Sequence, residues 1–480
     1  MSDEKNADKR QDRDQKSKEL SKLKTKPLDR NIAMARMGMV AGSQVVGYEL
    51  MNLFRGDKGK AERDSKFYAR QAQYLADELG KLKGSVMKVG QMLSLYGQYF
   101  MPPEAVGVLA SLQDDTPPVS WSQVRPVIEQ ALGPRRMGEL EIDSKSLASA
   151  SLGQVHRARR KSDGKELVLK VQYPGVASAI DSDVRTMTRI VSMSKIMPKG
   201  ISLEPIMEEV REMLHQEVDY GREMTMTQTF YDRLKDDPRY VVPEVLTEYC
   251  ADSVLCLSYE EALHVKSDEV QNLPQERRNK IAENALDLFF TEFFEWGLVQ
   301  TDPHFGNYKI RLDPKGENDQ MLLMDFGATR QFSKPFLDHY FNIIAGAYYD
   351  DEAQILDGAE GIGLMRTQFS DAVRQSFIDV CRLIIEPFVD PENHPGRVPD
   401  EWITENGEYR WGTTDLPKRV SSAVAKAAMS RYFRVPPREI VFLHRRLVGV
   451  FVLIAVLGGE LKSHEMLGRH VESGIGDIKH

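Results

Sequence analysis

Asp302 and Asn307 stand five positions apart in QTDPHFGN, residues 300–307. A carboxylate and a carboxamide this close present hard oxygen atoms, the donors that magnesium favours when phosphates and waters complete its shell. Eighteen residues later Asp325 opens the triplet Asp325–Phe326–Gly327, and far upstream Lys170 sits inside the β-branched run LVLKV. Together they are the parts of a device that grips a metal-bound polyphosphate. The ammonium neutralises phosphate charge, Asn307 and Asp325 hold the cation, and Asp302 orients or deprotonates a nucleophile. His304, the lone histidine beside Asp302, is read as structuring the loop through a hydrogen bond rather than as a base.

Such side chains need rigid carriers. KELVLKVQYPGV (165–176) reads as a strand closed by a Pro174–Gly175 turn, and SVLCLSYEE (253–261) as a second strand. Residues 203–232 look helical and contain HQEVDYGREM. A long apolar-faced helix over 278–298 delivers the chain into QTDPHFGN, and MLLMDFGA (321–328) is a strand ending in its aspartate. From 333 onward the pattern is mostly helical, apart from a Pro/Asn/Trp-rich insertion at 386–413. Upstream, Leu75, Leu79, Leu82, Val86, Val89 and Leu93 make one apolar stripe on a helix over 71–95. Beside it run Gly80, Gly84, Lys88, Gln91 and Leu95, whose glycines suggest close backbone contact. On spacing alone Lys88 and Gln91 are solvated residues.

At 480 residues the chain exceeds one core, so two or three lobes are expected. A net charge of −8 gives no reason to expect nucleic acid as a partner. Residues 1–30 carry ten Lys/Arg and seven Asp/Glu, a polar tail expected to be disordered or a solvated helix. Cys250, Cys256 and Cys381 lack metal-ligand spacing and fit a reducing, cytoplasmic setting. No secretory signal is recognised, and no apolar run reaches the roughly 18 residues of a membrane span. The segment LVGVFVLIAVLGG (447–459), flanked by Arg445–Arg446 and Glu460, is expected to be a core helix. The small-residue-rich segment 31–54 either packs intramolecularly or lies on a membrane surface, and both readings stay open.

Asp302 and Asn307 have the D-x₄-N spacing of a kinase catalytic loop, Asp325–Phe326–Gly327 is the metal-binding D-F-G, and Lys170 is the strand lysine. With KVGQ (88–91), ASASLGQVHRA (148–158) and EVD (217–219) in the same order, the chain resembles the UbiB/AarF (ADCK) family of atypical kinase-like proteins from about residue 75 to the end. The resemblance implies an α+β bilobal protein-kinase-like fold: a small lobe with an antiparallel sheet, a large helical lobe, and an N-terminal helical extension over the cleft. The expected division is a charged tail (1–30), a candidate membrane-associating segment (31–60), the extension (61–130), the small lobe (131–262) and the large lobe (263–480).

The same resemblance moves Lys88, Gly90 and Gln91 into the active site and sets Glu217 and Asp219 facing the extension. It makes Glu223 the carboxylate paired with Lys170. Ala148, Ser149, Ala150 and Ser151 become a phosphate-covering loop in which alanine replaces glycine. The Ser149 hydroxyl is read as contacting a phosphate or, slightly preferred, capping local backbone. Without the family, EVDYGRE would be a solvated helix with an Asp219–Arg222 pair. Phe305 stands where relatives often carry proline. ATP and Mg²⁺ are the implied cofactors, with the adenine near residues 256–262.

The function implied is an ATP-binding, Mg²⁺-dependent atypical kinase or ATPase supporting ubiquinone biosynthesis. Two alternatives are a small-molecule phosphotransferase of the aminoglycoside or choline kinase type and a non-catalytic nucleotide-binding scaffold. Gln300–Thr301 in place of His–Arg, and the lack of an A-P-E after the D-F-G, argue against an ordinary protein kinase. Candidate partners are the nucleotide, a lipid or quinone-precursor ligand, a peripheral membrane surface, quinone-biosynthesis proteins and a second copy of the chain.

Overall fold

The computed structural model describes residues 118–150, 152–194, 203–302, 304–428 and 437–475, together with Arg70 and Val89. Lys88, Gly90, Gln91, Ser151 and segments 1–30 and 31–60 lie outside the described residues. So does the extension up to residue 117, except for Arg70 and Val89.

In chain order the elements begin with α1 (Trp121–Glu139), β1 (Leu140–Ser149), β2 (Gly153–Arg160) and β3 (Glu166–Gln172). Next come α2 (Val176–Ser194), α3 (Glu204–Glu217), α4 (Tyr220–Leu234), β4 (Tyr240–Val241), β5 (Val254–Ser258) and β6 (Leu263–His264). Helix α5 (Gln275–Phe290) precedes β7 (Leu298–Gln300), β8 (Tyr308–Arg311), β9 (Gln320–Leu323) and β10 (Thr329–Gln331). The remainder is α6 (Lys334–Tyr349), α7 (Glu352–Gly361), α8 (Asp371–Ile385), β11 (Tyr409–Arg410), α9 (Leu416–Ala428), α10 (Arg438–Val456), β12 (Glu460–Leu461) and α11 (Ser463–Ser473).

The chain divides into two compact units, the first ending at Thr225 and resuming over 244–259, the second comprising 226–243 and 260–480. The first holds the antiparallel sheet β1-β2-β3-β5. Alternation along β3 buries Leu167, Leu169 and Val171 on one face and turns Val168 and Lys170 to the other. On that second face Val168 packs against the buried cluster Tyr220, Val245, Leu255 and Leu257.

The second unit carries the sheet β4-β9-β8-β6 and the two-stranded pair β7–β10, with a helical core. Residues 226–243 join this unit. The physical reason is that β4 pairs in parallel with β9, and Phe230 lies 4.5 Å from Phe326, ring centre to ring centre. Helix α10 buries Ile440, Val441, Phe442, Leu443, Val450, Leu453 and Ile454, the core role expected for its apolar run. Among the described residues no helix is long and apolar enough to cross a membrane.

Between α5 and β7 the chain does not run straight on. Residues Thr291–Trp296 widen into a π-helical turn, and Gly297 ends it with a left-handed φ of 56°. The apolar helix predicted over 278–298 is thus an α-helix, a wide turn and the first residue of a strand.

Candidate active site

In the first unit Lys170 Nζ lies 2.6 Å from Glu223 Oε1, with the lysine 18% and the glutamate 3% exposed at the side chain. Strand β3 fixes the lysine between β2 and β5, where Lys170 pairs with Val155 and Leu255. The first turn of α4 supplies the glutamate, and the Tyr220 ring lies 5.4 Å from the ammonium. A charge pair this buried is held by packing, so the Lys170 ammonium is fixed in direction.

Asp219 explains why α4 begins where it does. Its Oδ1 accepts the backbone N–H of Arg222 at 2.9 Å, an N-cap that separates α3 from α4 one turn before Glu223. The bond runs to the Arg222 backbone, and the Asp219 carboxylate also acts electrostatically on the Arg222 guanidinium, as the spacing suggested. Glu217 closes α3.

The alanine-containing segment is shorter as a loop than its motif implied. Ala148 and Ser149 belong to β1, paired with Val155 and Gln154, and the Ala150 N–H donates to Gly153 O at 2.8 Å. Ser149 Oγ meets the Tyr173 hydroxyl at 2.9 Å, a side-chain partner instead of the local backbone cap preferred from sequence. Gly153 has no room for a side chain: a Cβ there would lie 2.5 Å from Val171 O and 2.9 Å from the Tyr220 hydroxyl.

Directly after Gly153 runs a buried polar chain not anticipated from sequence. The Gln154 amide accepts from Val119 N at 2.8 Å and donates to Val119 O at 3.1 Å, as a neighbouring strand would. It also donates to His156 Nε2 at 2.8 Å, leaving His156 Nδ1–H to donate to Asp143 O at 2.8 Å. Burial lowers the His156 pKa, in keeping with a neutral ring of this tautomer.

In the second unit the loop around Asp302 is assembled from both sides. Asn307 Nδ2 donates to Asp302 Oδ2 at 2.9 Å, and Arg445 Nη2, from α10, lies 2.6 Å from Asp302 Oδ1. Both carboxylate oxygens are therefore engaged within the loop's own surroundings. His304 Nδ1 accepts from Gly306 N at 3.0 Å and caps the short turn Phe305–Asn307, the loop-structuring role anticipated for it. Met324 N–H donates to Asn307 O at 3.0 Å, and Gly327 N–H to Asp325 Oδ1 at 2.9 Å.

Gln300, noted from sequence only as a departure from the kinase pattern, is the hub. Its Oε1 accepts from Asp302 N at 3.1 Å and from the Tyr308 hydroxyl at 2.8 Å, while its Nε2 donates to Asp325 O at 3.0 Å. One amide thus binds the D-x₄-N and D-F-G segments to each other. Behind it Arg446 donates to the Tyr308 hydroxyl at 2.5 Å and pairs with Glu292 at 3.1 Å, both side chains almost fully buried. Burial lifts the Glu292 carboxyl to about 7, with Arg446 pulling the other way. Arg445 and Arg446 were visible in the sequence as flanks of an apolar run. Their partners lie some 140–150 residues away in the chain, so no local pattern revealed them.

Among the described residues no group of three or more His, Cys, Asp or Glu side chains could hold a metal by itself. Mg²⁺ needs fewer, since it takes one or two protein oxygens and completes its octahedron with phosphates and water. The carboxylate of Asp325 and the amide of Asn307, whose nitrogen is committed to Asp302, suit that requirement.

The profile described as the ABC1 atypical kinase-like domain matches residues 111–358. The chain is 29% identical to "Atypical kinase COQ8B, mitochondrial" of Danio rerio, over 94% of this chain and 70% of that protein. It is 30% identical to the Rattus norvegicus protein of the same name, over 82% of this chain and 71% of the relative. Against "Atypical kinase coq-8, mitochondrial" of Caenorhabditis elegans the identity is 31%, and the chain spans only 49% of that relative's length. Among solved structures, Rv3197 of Mycobacterium tuberculosis, described in complex with erythromycin, aligns with a TM-score of 0.55 at 26% identity. That alignment covers 88% of this chain and 100% of the other.

Proposed function

The chain belongs to the ABC1 atypical kinase-like family, and on that premise we propose that it is an ATP-binding, Mg²⁺-dependent phosphoryl-transfer enzyme or ATPase that supports ubiquinone biosynthesis. The observation that carries this reading is the Lys170–Glu223 pair, 2.6 Å apart and buried, on a strand and a helix of the kinase-like sheet unit. A purely structural surface lysine has no need of a nearly fully buried carboxylate.

In this reading Glu223 fixes the Lys170 ammonium, which neutralises charge on the α- and β-phosphates. Asn307 and Asp325 would hold Mg²⁺, which supplies charge neutralisation at the phosphates when bound. Asp302 orients the attacking water or acceptor hydroxyl, and Gln300 keeps Asp302 and Asp325 at a fixed separation. Lys88, Gly90 and Gln91 of KVGQ, with Glu217 and Asp219, belong to this proposal as family-specific residues. So does peripheral attachment to a membrane through residues 31–54.

The test is phosphate release from Mg·ATP by the wild-type chain, Asp325→Asn and Lys170→Met, alongside calorimetric nucleotide titration. Release that needs both residues supports the proposal. Tight Mg·nucleotide binding without release, with or without vesicles and candidate acceptors, would leave a scaffold and overturn it.

A further inference from the structure

The second unit holds a partly open apolar cavity of about 100 Å³ that the phosphate chemistry does not use. Its walls are aromatic and aliphatic, with Phe293 and Phe294 from the π-helical turn, Tyr340 from α6, Phe377 from α8, and Leu447 and Phe451 from α10. No Asp, Glu, Lys or Arg lines it. Apart from the buried Cys381 thiol, its polar side chains are His444 and Tyr340, whose Nε2 and hydroxyl lie 3.0 Å apart. Full burial lowers the His444 pKa to about 4, so the pair is uncharged at neutral pH.

A dry apolar space in a protein interior forfeits dispersion contacts along its whole lining. Engineered cavities of comparable size, roughly 150 Å³, stay free of water and admit benzene. The eight phenylalanine and tyrosine rings here present edges and faces to whatever enters, and ring edges on ring faces are the arrangement such rings prefer. Size and lining therefore select one neutral ring. A charged or extended polar molecule would be stranded without partners.

Two wall elements also build the loop around Asp302. Helix α10 turns His444, Leu447 and Phe451 to the cavity and, between them, sends Arg445 to Asp302 and Arg446 to Tyr308. The π-helical turn does the same: Phe293 and Phe294 face the cavity, and Glu292 meets Arg446. We propose that this cavity is a binding site for a small neutral mono-aromatic ligand, and that α10 and the π-helical turn transmit its occupancy to the Gln300–Asp302–Asn307 loop. The transmission needs only a shift of either wall, since each carries one member of the Glu292–Arg446–Tyr308–Gln300 chain.

The experiment uses the full chain with toluene as probe and the phenylammonium ion as a charged control. Toluene raises the wild-type melting temperature by about 2 °C or more near saturation, and phenylammonium does not. Ala347→Leu and, separately, Cys381→Met fill the space from two different walls and abolish the shift. Hydrogen exchange of residues 298–308 slows several-fold on toluene binding in the wild type and is unchanged in the filled variants. That readout does not depend on nucleotide turnover. No melting shift in the wild type, or an equal shift in wild type and both folded variants, overturns the site. A shift without any change in exchange at 298–308 overturns the coupling.

Discussion

Arg445 Nη2 lies 2.6 Å from Asp302 Oδ1 across 143 residues of chain, and both side chains are about one-fifth to one-quarter exposed. The residue before Asp302 is Thr301, where protein kinases carry arginine. The guanidinium that meets the Asp302 carboxylate comes from a core helix, so the loop is braced by the packing of the second unit. Arg445→Met is expected to lower the rate of phosphate release about tenfold or more, the loss of a charge-assisted hydrogen bond of ~1.5–3 kcal/mol. The KM for ATP should hardly move, and Arg445→Lys should recover part of the rate. Steady-state kinetics on the three proteins distinguish this from general unfolding, which would lower the active fraction in both variants.

The Lys170–Glu223 pair is expected to respond asymmetrically to its two simplest changes. Lys170→Met strands a nearly buried carboxylate and should cost ~3 kcal/mol or more of stability, whereas Glu223→Gln keeps an acceptor for the ammonium and should cost less. Urea titrations measure both. If the double variant is more stable than Lys170→Met alone, the cost lies in the unpaired charge and not in lost packing.

Gly153→Ala places a Cβ against the Val171 carbonyl at 2.5 Å, and a carbonyl in a paired strand cannot step aside. A loss of ~1–3 kcal/mol is expected, of the size usual for overpacking. The accompanying readout is a weaker affinity for Mg·ATP, since the Ala150–Gly153 hydrogen bond would be disturbed. Gly133→Ala meets no atom within 4 Å, but its φ of +70° still strains alanine, so it serves as a control for backbone strain without a clash.

Acid should weaken the fold through two histidines. His156 and His444 both have folded pKa values below the ordinary 6.5, lowered by burial, and His444 falls to about 4. Between the unfolded and folded values the unfolded chain binds more protons, so stability is fully present above about 6.5 and declines as pH falls towards 4. His156→Gln should flatten the upper part of that decline. Urea midpoints of wild type and variant between pH 7 and 5 test it: parallel curves would mean that His156 does not titrate on unfolding.

How much of this could be read from the chain itself depended on distance along it. Strand β3 with Lys170, the core helix α10 and the Asp302–Asn307 spacing are local patterns, and each stands where alternation or helical periodicity puts it. Glu223 was reachable because a family motif marked its neighbourhood. Gln300, Arg445, Arg446 and Glu292 were not, because a glutamine in a three-residue strand and a charged pair beside an apolar run carry no periodic signal. The same holds for Gln154, whose amide stands in for a strand against Val119. The two-residue parallel strand β4 likewise leaves no trace in composition.

The wide turn at Thr291–Trp296 sets the phase of everything after it. A π-turn accommodates one residue more than the α-helix around it, and each residue of an α-helix turns the chain by about 100°. Were one residue deleted between 291 and 296, every side chain lining the cavity and the loop could be kept by type. Even so, Gln300 and Asp302 would arrive rotated away from Tyr308 and Arg445. The site is therefore protected by a count of residues as much as by their identity. An insertion or deletion here is expected to disturb the loop more than a substitution does.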